Sequence, residues 1–289
     1  MIHLLNFPVL AFALLAGLLH CDAGGEQPDT GAGKSQSASD GSEHPLLPLV
    51  KIAETGLTRI SAVNTYTCEL VCQERVDGKL KSPKTVFAKV RHDSVRESKP
   101  EITNHSRISL YLQFKSPESV KGRELLFCNA GVDDPDQWRI VVRKGGKRLA
   151  FLTAELSPTC ELAMKDCRYP ITEFGLKRLI ERIYLVAKQE CQYPECEVAF
   201  DNDVVFAGKA CTMIEITHSQ HLDHFNFHLA RIYIDNDLQS PIHFSAYDWP
   251  AEIGTLPDLN ESYTYRDIKL NVPLSDSDFD RANPAYAFK

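Results

Sequence analysis

The chain has 289 residues, with 32 Lys and Arg against 39 Asp and Glu, a formal net charge of −7. Hydrophobic residues make up 43%, charged residues 25% and aromatics 9%, the proportions of a globular protein. These values exclude a disordered chain, a collagen-like chain and a polytopic membrane protein. The negative charge argues against a nucleic-acid partner, which calls for a basic face.

Residues 4–19 are nearly all apolar, around the run Leu10-Ala11-Phe12-Ala13-Leu14-Leu15-Ala16. That is short of the roughly 20 apolar residues of a membrane span and suits the core of an export signal. Residues 1–21 are therefore read as a signal peptide and the protein as exported. Cys21 follows Leu18-Leu19-His20. This resembles the lipobox of bacterial lipoproteins, whose cysteine is lipidated and holds the protein to the membrane. His20 departs from it, because a small residue normally precedes the cysteine. Plain secretion and an uncleaved anchor are the alternatives. Residues 22–44 are rich in Gly, Ser and polar side chains, cannot form a core, and read as a flexible tether.

Residues 45–289 read as one domain. Leu46, Leu49, Val50, Ala53, Leu57 and Ile60 recur every three or four positions, predicting a helix over 45–60 that Gly56 weakens. From Thr65 the period changes to two, and strands are predicted over 65–76, 85–92, 107–115, 123–129 and 138–143. Asp77-Gly78 and the Lys144–Lys147 run are turn signals. Residues 153–170 read as irregular. A second helix is predicted over 172–189, where Leu176, Leu179, Ile180, Ile183, Val186 and Ala187 share a face. Strands follow over 196–200, 210–218, 225–235, 242–249 and 261–270. The sum is nine or ten strands in meander order with one helix before the sheet and one between its halves. Helix–strand alternation is absent, which excludes a doubly wound fold.

Of nine cysteines, Cys21 is set aside with the signal. Cys68 and Cys72, four residues apart on one strand, lie about 13 Å apart and cannot bridge each other. Cys160 with Cys167, and Cys191 with Cys196, flank irregular segments that a disulfide would close; free buried thiols are the favoured reading. His218, His221, His224 and His228 invite a metal hypothesis, but a solvated hairpin loop explains them better, and no metal or cofactor is called for. No nucleophile elbow, phosphate-binding loop, dinucleotide fingerprint or zinc-protease motif occurs. Tyr66, Tyr111, Phe114 and Phe127 lie on predicted strands, where they build the core or line an apolar cavity.

Several segments resemble the exported bacterial family called domain of unknown function 1571. They are Tyr66-Thr67-Cys68, Glu74-Arg75-Val76-Asp77-Gly78-Lys79-Leu80, Val120-Lys121-Gly122-Arg123-Glu124, and Arg168-Tyr169-Pro170-Ile171-Thr172-Glu173, the most specific. Phe227-His228-Leu229-Ala230-Arg231-Ile232-Tyr233 and Tyr247-Asp248-Trp249-Pro250 add to it. The resemblance implies a fold similar to the lipoprotein carriers LolA and LolB. That is an α+β, mainly antiparallel fold, a large curved sheet or unclosed barrel with two long helices as plug or lid. It implies no catalytic residue. The expected function is non-catalytic binding of a lipid, lipoprotein or other apolar ligand in the envelope, with Arg123 and Arg168 as polar contacts at the mouth. An envelope scaffold without a cavity is the second reading and an unrecognised hydrolase the third.

Overall fold

The computed structural model describes residues 43–92, 107–146, 151–252 and 254–288. The export signal, Cys21 and nearly all of the tether lie outside the described residues. Helix α1 (Leu47–Ser61) carries Pro48 in its first turn, where a missing N–H costs no intrahelical bond. It buries Leu49, Val50, Ala53, Gly56 and Ile60 along one stripe. Gly56 allows close approach to helix α3 (Leu176–Glu190): a Cβ there would meet Ile180 Cγ2 at 3.5 Å.

The strands are β1 (Thr65–Val76), β2 (Lys79–Leu80), β3 (Lys84–His92), β4 (Ile108–Ser116), β5 (Glu124–Cys128), β6 (Ile140–Arg143) and β7 (Thr153–Leu156). After a short helix α2 (Glu161–Met164) and α3 come β8 (Glu197–Phe206), β9 (Lys209–Thr217), β10 (Leu229–Asp235), β11 (Ser240–Tyr247) and β12 (Leu259–Leu270). They form one open antiparallel sheet of 12 strands in the order β7-β6-β5-β4-β3-β1-β12-β11-β10-β9-β8, with β2 paired to β1. Two meanders, one before α3 and one after it, thus meet at the β1–β12 pair.

Period-two side chains face one core. Tyr66, Cys68 and Leu70 on β1, Val86, Ala88 and Val90 on β3, and Ile214 and Ile216 on β9 belong to a single buried cluster with both long helices. The opposite face is covered locally by the C-terminal tail. Tyr286 stacks on Tyr111 at 3.8 Å, Lys89 Nζ donates to Asp278 Oδ1 at 2.6 Å, and Ala287 N donates to Glu124 Oε2 at 2.9 Å. This makes a second small cluster of Tyr111, Leu126 and Phe288.

The differences from the sequence reading fall at edges and ends. β7 and β8 are the two edge strands, and their side chains are mostly exposed, so neither has to alternate. β7 accordingly reads as irregular, and β8 runs on through Asp201-Asn202-Asp203 to the Ala207-Gly208 turn, with a register shift between Asp201 and Val204. Residues 225–228 precede β10 instead of joining it, because Phe225 and Phe227 turn in to pack on the His218 ring. The histidine segment is the loop of the β9–β10 hairpin, with Ser219, Gln220, His221 and Asp223 exposed, but its histidines are not all solvated. His218 is fully buried, its Nε2 3.5 Å from Glu190 Oε2, while His221 stacks on Trp249 and His224 on Tyr193. All eight described cysteines are free thiols. No helix among the described residues is long and apolar enough to cross a membrane.

Candidate functional site

The two long helices fill only part of the concave face. They pack on each other and on β11, in the half of the sheet after α3. Over β1, β3, β4, β5, β6 and β12 the cover is instead the strap formed by residues 157–175, between β7 and α3. Between strap and sheet lies a cavity of about 150 Å³. Its floor includes Leu70, Val86, Leu112, Phe114 and Leu125, and its roof includes Ala163, Met164, Ile171 and Phe174. No residue from 159 to 174 is fully buried; Ala163, Ile171 and Phe174 pack only partly buried against the core cluster, and Leu162 is exposed.

The strap is held by polar contacts at two places. Lys81 Nζ reaches Asp166 Oδ1 at 3.1 Å, and Lys84 Nζ donates to the Asp166 carbonyl while sitting 3.8 Å from Glu74 Oε2. Farther along, the Tyr169 hydroxyl donates to Glu261 Oε1 at 3.1 Å and accepts from Arg182 Nη2 at 2.6 Å and Arg168 Nε at 3.2 Å. Both guanidiniums also approach Glu261 directly, at 3.6 Å from Arg168 and 3.8 Å from Arg182. Tyr263 OH donates to Glu74 Oε1 at 2.6 Å and lies 3.3 Å from Glu261 Oε2. Glu74 and Glu261 are buried, and these partners satisfy their oxygens. Burial, then the nearby Glu261 and Glu74 carboxylates, push the Tyr263 hydroxyl far above its ordinary pKa, and it stays a hydrogen-bond donor.

The strap ends at Gly175, whose φ of 114° is open to glycine alone. A Cβ there would lie 2.7 Å from the Tyr66 hydroxyl. That hydroxyl accepts from Leu176 N at 3.0 Å and satisfies one of the orphan donors of the first turn of α3. The strap therefore joins α3 at a fixed helix start.

The six residues singled out from the sequence are dispersed. Phe114 lines the cavity, and Arg123 lies over its ring at 5.3 Å. Arg168 stands in the Tyr169–Glu261 cluster. Tyr66 is buried beneath the start of α3, and Phe127 packs edge-on against Trp138 at 6.0 Å in the core. Tyr111 is on the opposite face of the sheet, bonded to Glu124 Oε1 at 2.9 Å under the C-terminal tail. The sequence reading missed Glu74, Lys84, Tyr169, Arg182, Glu261 and Tyr263. A signal was present: Glu74 shares strand parity with Tyr66, Cys68 and Leu70, so an acidic side chain is forced to the inner face.

The site holds two thiols, Cys72 on β1 and Cys167 on the strap. Burial, then Glu74, push the Cys72 thiol up to about 12, and burial also raises Cys167 although Lys84 Nζ is 3.9 Å from its sulfur. Neither is a thiolate at neutral pH. Among the described residues no three His, Cys, Asp or Glu side chains are placed to share a metal ion.

Among solved structures the chain is similar to a DUF1329 family protein from Desulfovibrio piger, at 12% identity over 82% of this chain and 98% of that one, with a TM-score of 0.39. It is similar to lipoprotein LppX of Mycobacterium tuberculosis at 14% identity over 81% and 98%, with a TM-score of 0.39. A LolA superfamily protein from Nitrosomonas europaea matches at 10% identity over 79% and 97%, with a TM-score of 0.27. No curated protein matches the sequence. Residues 63–288 match the model of the family described as "Protein of unknown function (DUF1571)", and the chain belongs to that family.

Proposed function

We propose that the protein is a non-catalytic binding protein that takes an apolar chain, from a lipid or a lipid-modified protein, between strap and sheet. The observation that carries this reading is the apolar cavity under a cover held by a few polar contacts. A packed core has no reason to leave about 150 Å³ between two apolar layers, because unfilled volume costs dispersion contacts. A cavity of that size holds roughly one small hydrocarbon ring, and each further buried methylene adds about 0.8 kcal/mol. A longer chain therefore enters by lifting the strap. Tyr169 and Asp166 are its latches, and Gly175 is its pivot. Arg168, at the latch, positions the strap instead of touching the apolar chain.

The protonated state of Cys72 and Cys167 disfavours thiol nucleophilic catalysis in the cavity. Export and anchoring through a lipidated Cys21 belong to the same proposal. They rest on the apolar run before that cysteine and on the polar tether after it.

The test is mass spectrometry of protein made with its own signal, run under native conditions and again after organic extraction. A lipid released on denaturation is the expected result. A clean polypeptide mass with nothing extractable overturns the binding reading and favours an envelope scaffold; a diacyl mass on Cys21 separately proves the anchor.

A further inference from the structure

Arg123 stands apart from the other cations around the cavity. Lys84, Arg168 and Arg182 each face a buried carboxylate. The Arg123 guanidinium forms no ion pair among the described residues; it lies over Phe114, a cavity-lining ring. Its remaining electrostatic neighbours are Cys167 and Asp166 of the strap, and Asp166 is already taken by Lys81. Arg123 is half-buried, and this partial burial pulls its pKa below that of an ordinary arginine, with Cys167 and Asp166 opposing.

The mount of this side chain is rigid. Gly122 N donates to the Phe114 carbonyl, Phe114 N to the Arg123 carbonyl, both at 2.9 Å, and Arg143 Nη1 to the Gly122 carbonyl at 2.7 Å. Gly145 packs its Cα directly onto the backbone of Val120 and Arg123, leaving no room for a Cβ. Such bracing fits a group that has to be presented, whereas a solvated surface arginine needs none. A protein with a net charge of −7 thus keeps a half-desolvated, unpaired cation at the edge of its apolar cavity.

We propose that the ligand is an anionic amphiphile, an apolar chain ended by a carboxylate or a phosphate, and that Arg123 pairs with its head. This rests on the apolar-ligand reading and narrows it. The chain lies under the strap, and the head emerges past Phe114, where the planar guanidinium accepts either oxyanion in a two-pronged hydrogen bond.

The test is titration calorimetry with three probes of equal chain length, dodecanoate, dodecyl phosphate and dodecanol, below their micelle concentrations. Both anions are expected to bind about tenfold tighter than the alcohol, the margin of one charge-assisted hydrogen bond at a half-exposed site. Arg123→Gln removes that margin while leaving dodecanol within twofold, so the alcohol serves as the control for folding. Arg123→Lys retains part of the margin. A preference for the carboxylate points to a fatty acid as source, and a preference for the phosphate points to a phospholipid. Equal binding of all three to the unmodified protein, or a margin that survives in Arg123→Gln, overturns the anion proposal alone. Binding of none of them overturns the apolar-ligand reading as well.

Discussion

Replacing Tyr169 by Phe isolates the strap latch. The ring stays, together with the Arg182 guanidinium over it at 3.9 Å, so packing is preserved. What goes is one hydroxyl that donates to the buried Glu261 and accepts from Arg182 and Arg168. Hydrogen bonds to charged groups contribute about 1.5–3 kcal/mol each. Glu261 still has Arg168 at 3.6 Å, Arg182 at 3.8 Å and the Tyr263 hydroxyl at 3.3 Å, so the losses do not add in full. A net cost of about 2 kcal/mol follows, about 30-fold in the population of an open strap. The melting temperature falls by about 4–8 °C, because the closed state loses the same energy relative to the unfolded chain. The assay is amide exchange of residues 157–175 against β9–β11, with tryptic cleavage at Lys165 and Arg168 as a second readout. In the unmodified protein the strap exchanges through an opening of lower free energy than the sheet. In Tyr169→Phe its exchange and cleavage rise about 30-fold. Strap protection equal to that of β9–β11 in the unmodified protein would refute the reasoning, as would a change in the variant below about threefold.

Three further expectations follow from the geometry. Ala163→Phe fills the cavity from its roof: the melting temperature holds or rises, in line with the ~0.5–2 kcal/mol typical of cavity filling, while capture of an apolar fluorescent probe is lost. Retained capture would place the ligand elsewhere. Gly175→Ala forces a side chain onto φ 114° and against the Tyr66 hydroxyl, and denaturant unfolding is expected to show a loss of about 2–3 kcal/mol; a loss under about 0.5 kcal/mol would show that the start of α3 is free to shift. Burial holds the His243 imidazole at about 4, below its ordinary value of about 6.5, so the folded protein carries it neutral and the unfolded chain binds the extra proton. That stability is fully present above about pH 6.5 and is lost as pH falls towards 4, on the order of 2–3 kcal/mol. His243→Gln flattens the dependence of the unfolding midpoint over that window, and an unchanged slope would count against it.

The elements were legible where the residues that define them are local neighbours. The alternation of β1, β3 and β4 and the apolar stripes of α1 and α3 are written in windows of about a dozen residues. They dictate an antiparallel sheet with two helices to bury, and no parallel alternative competes. Where the signal failed, the cause is equally local. Edge strands β7 and β8 bury little and need not alternate. The start of α3 is set by Gly175 and the Tyr66 hydroxyl, 110 positions away in sequence, so the apolar period starts early at Thr172.

The sequence by itself determined the architecture, the acidic balance of the chain and the location of the irregular segment that carries Arg168 and Tyr169. Only the tertiary structure decided that the helices plug one half of the sheet while this segment covers the other. It also brought together a polar cluster from the strap, α3 and three strands, with Tyr263 bonded to Glu74 across 189 positions and Tyr169 to Glu261 across 92. The physical reason is that periodicity reports which face of an element is buried, not what it is buried against. A cavity arises from the mismatch between the area of a sheet and the volume of the pieces laid upon it, and no local window contains that difference.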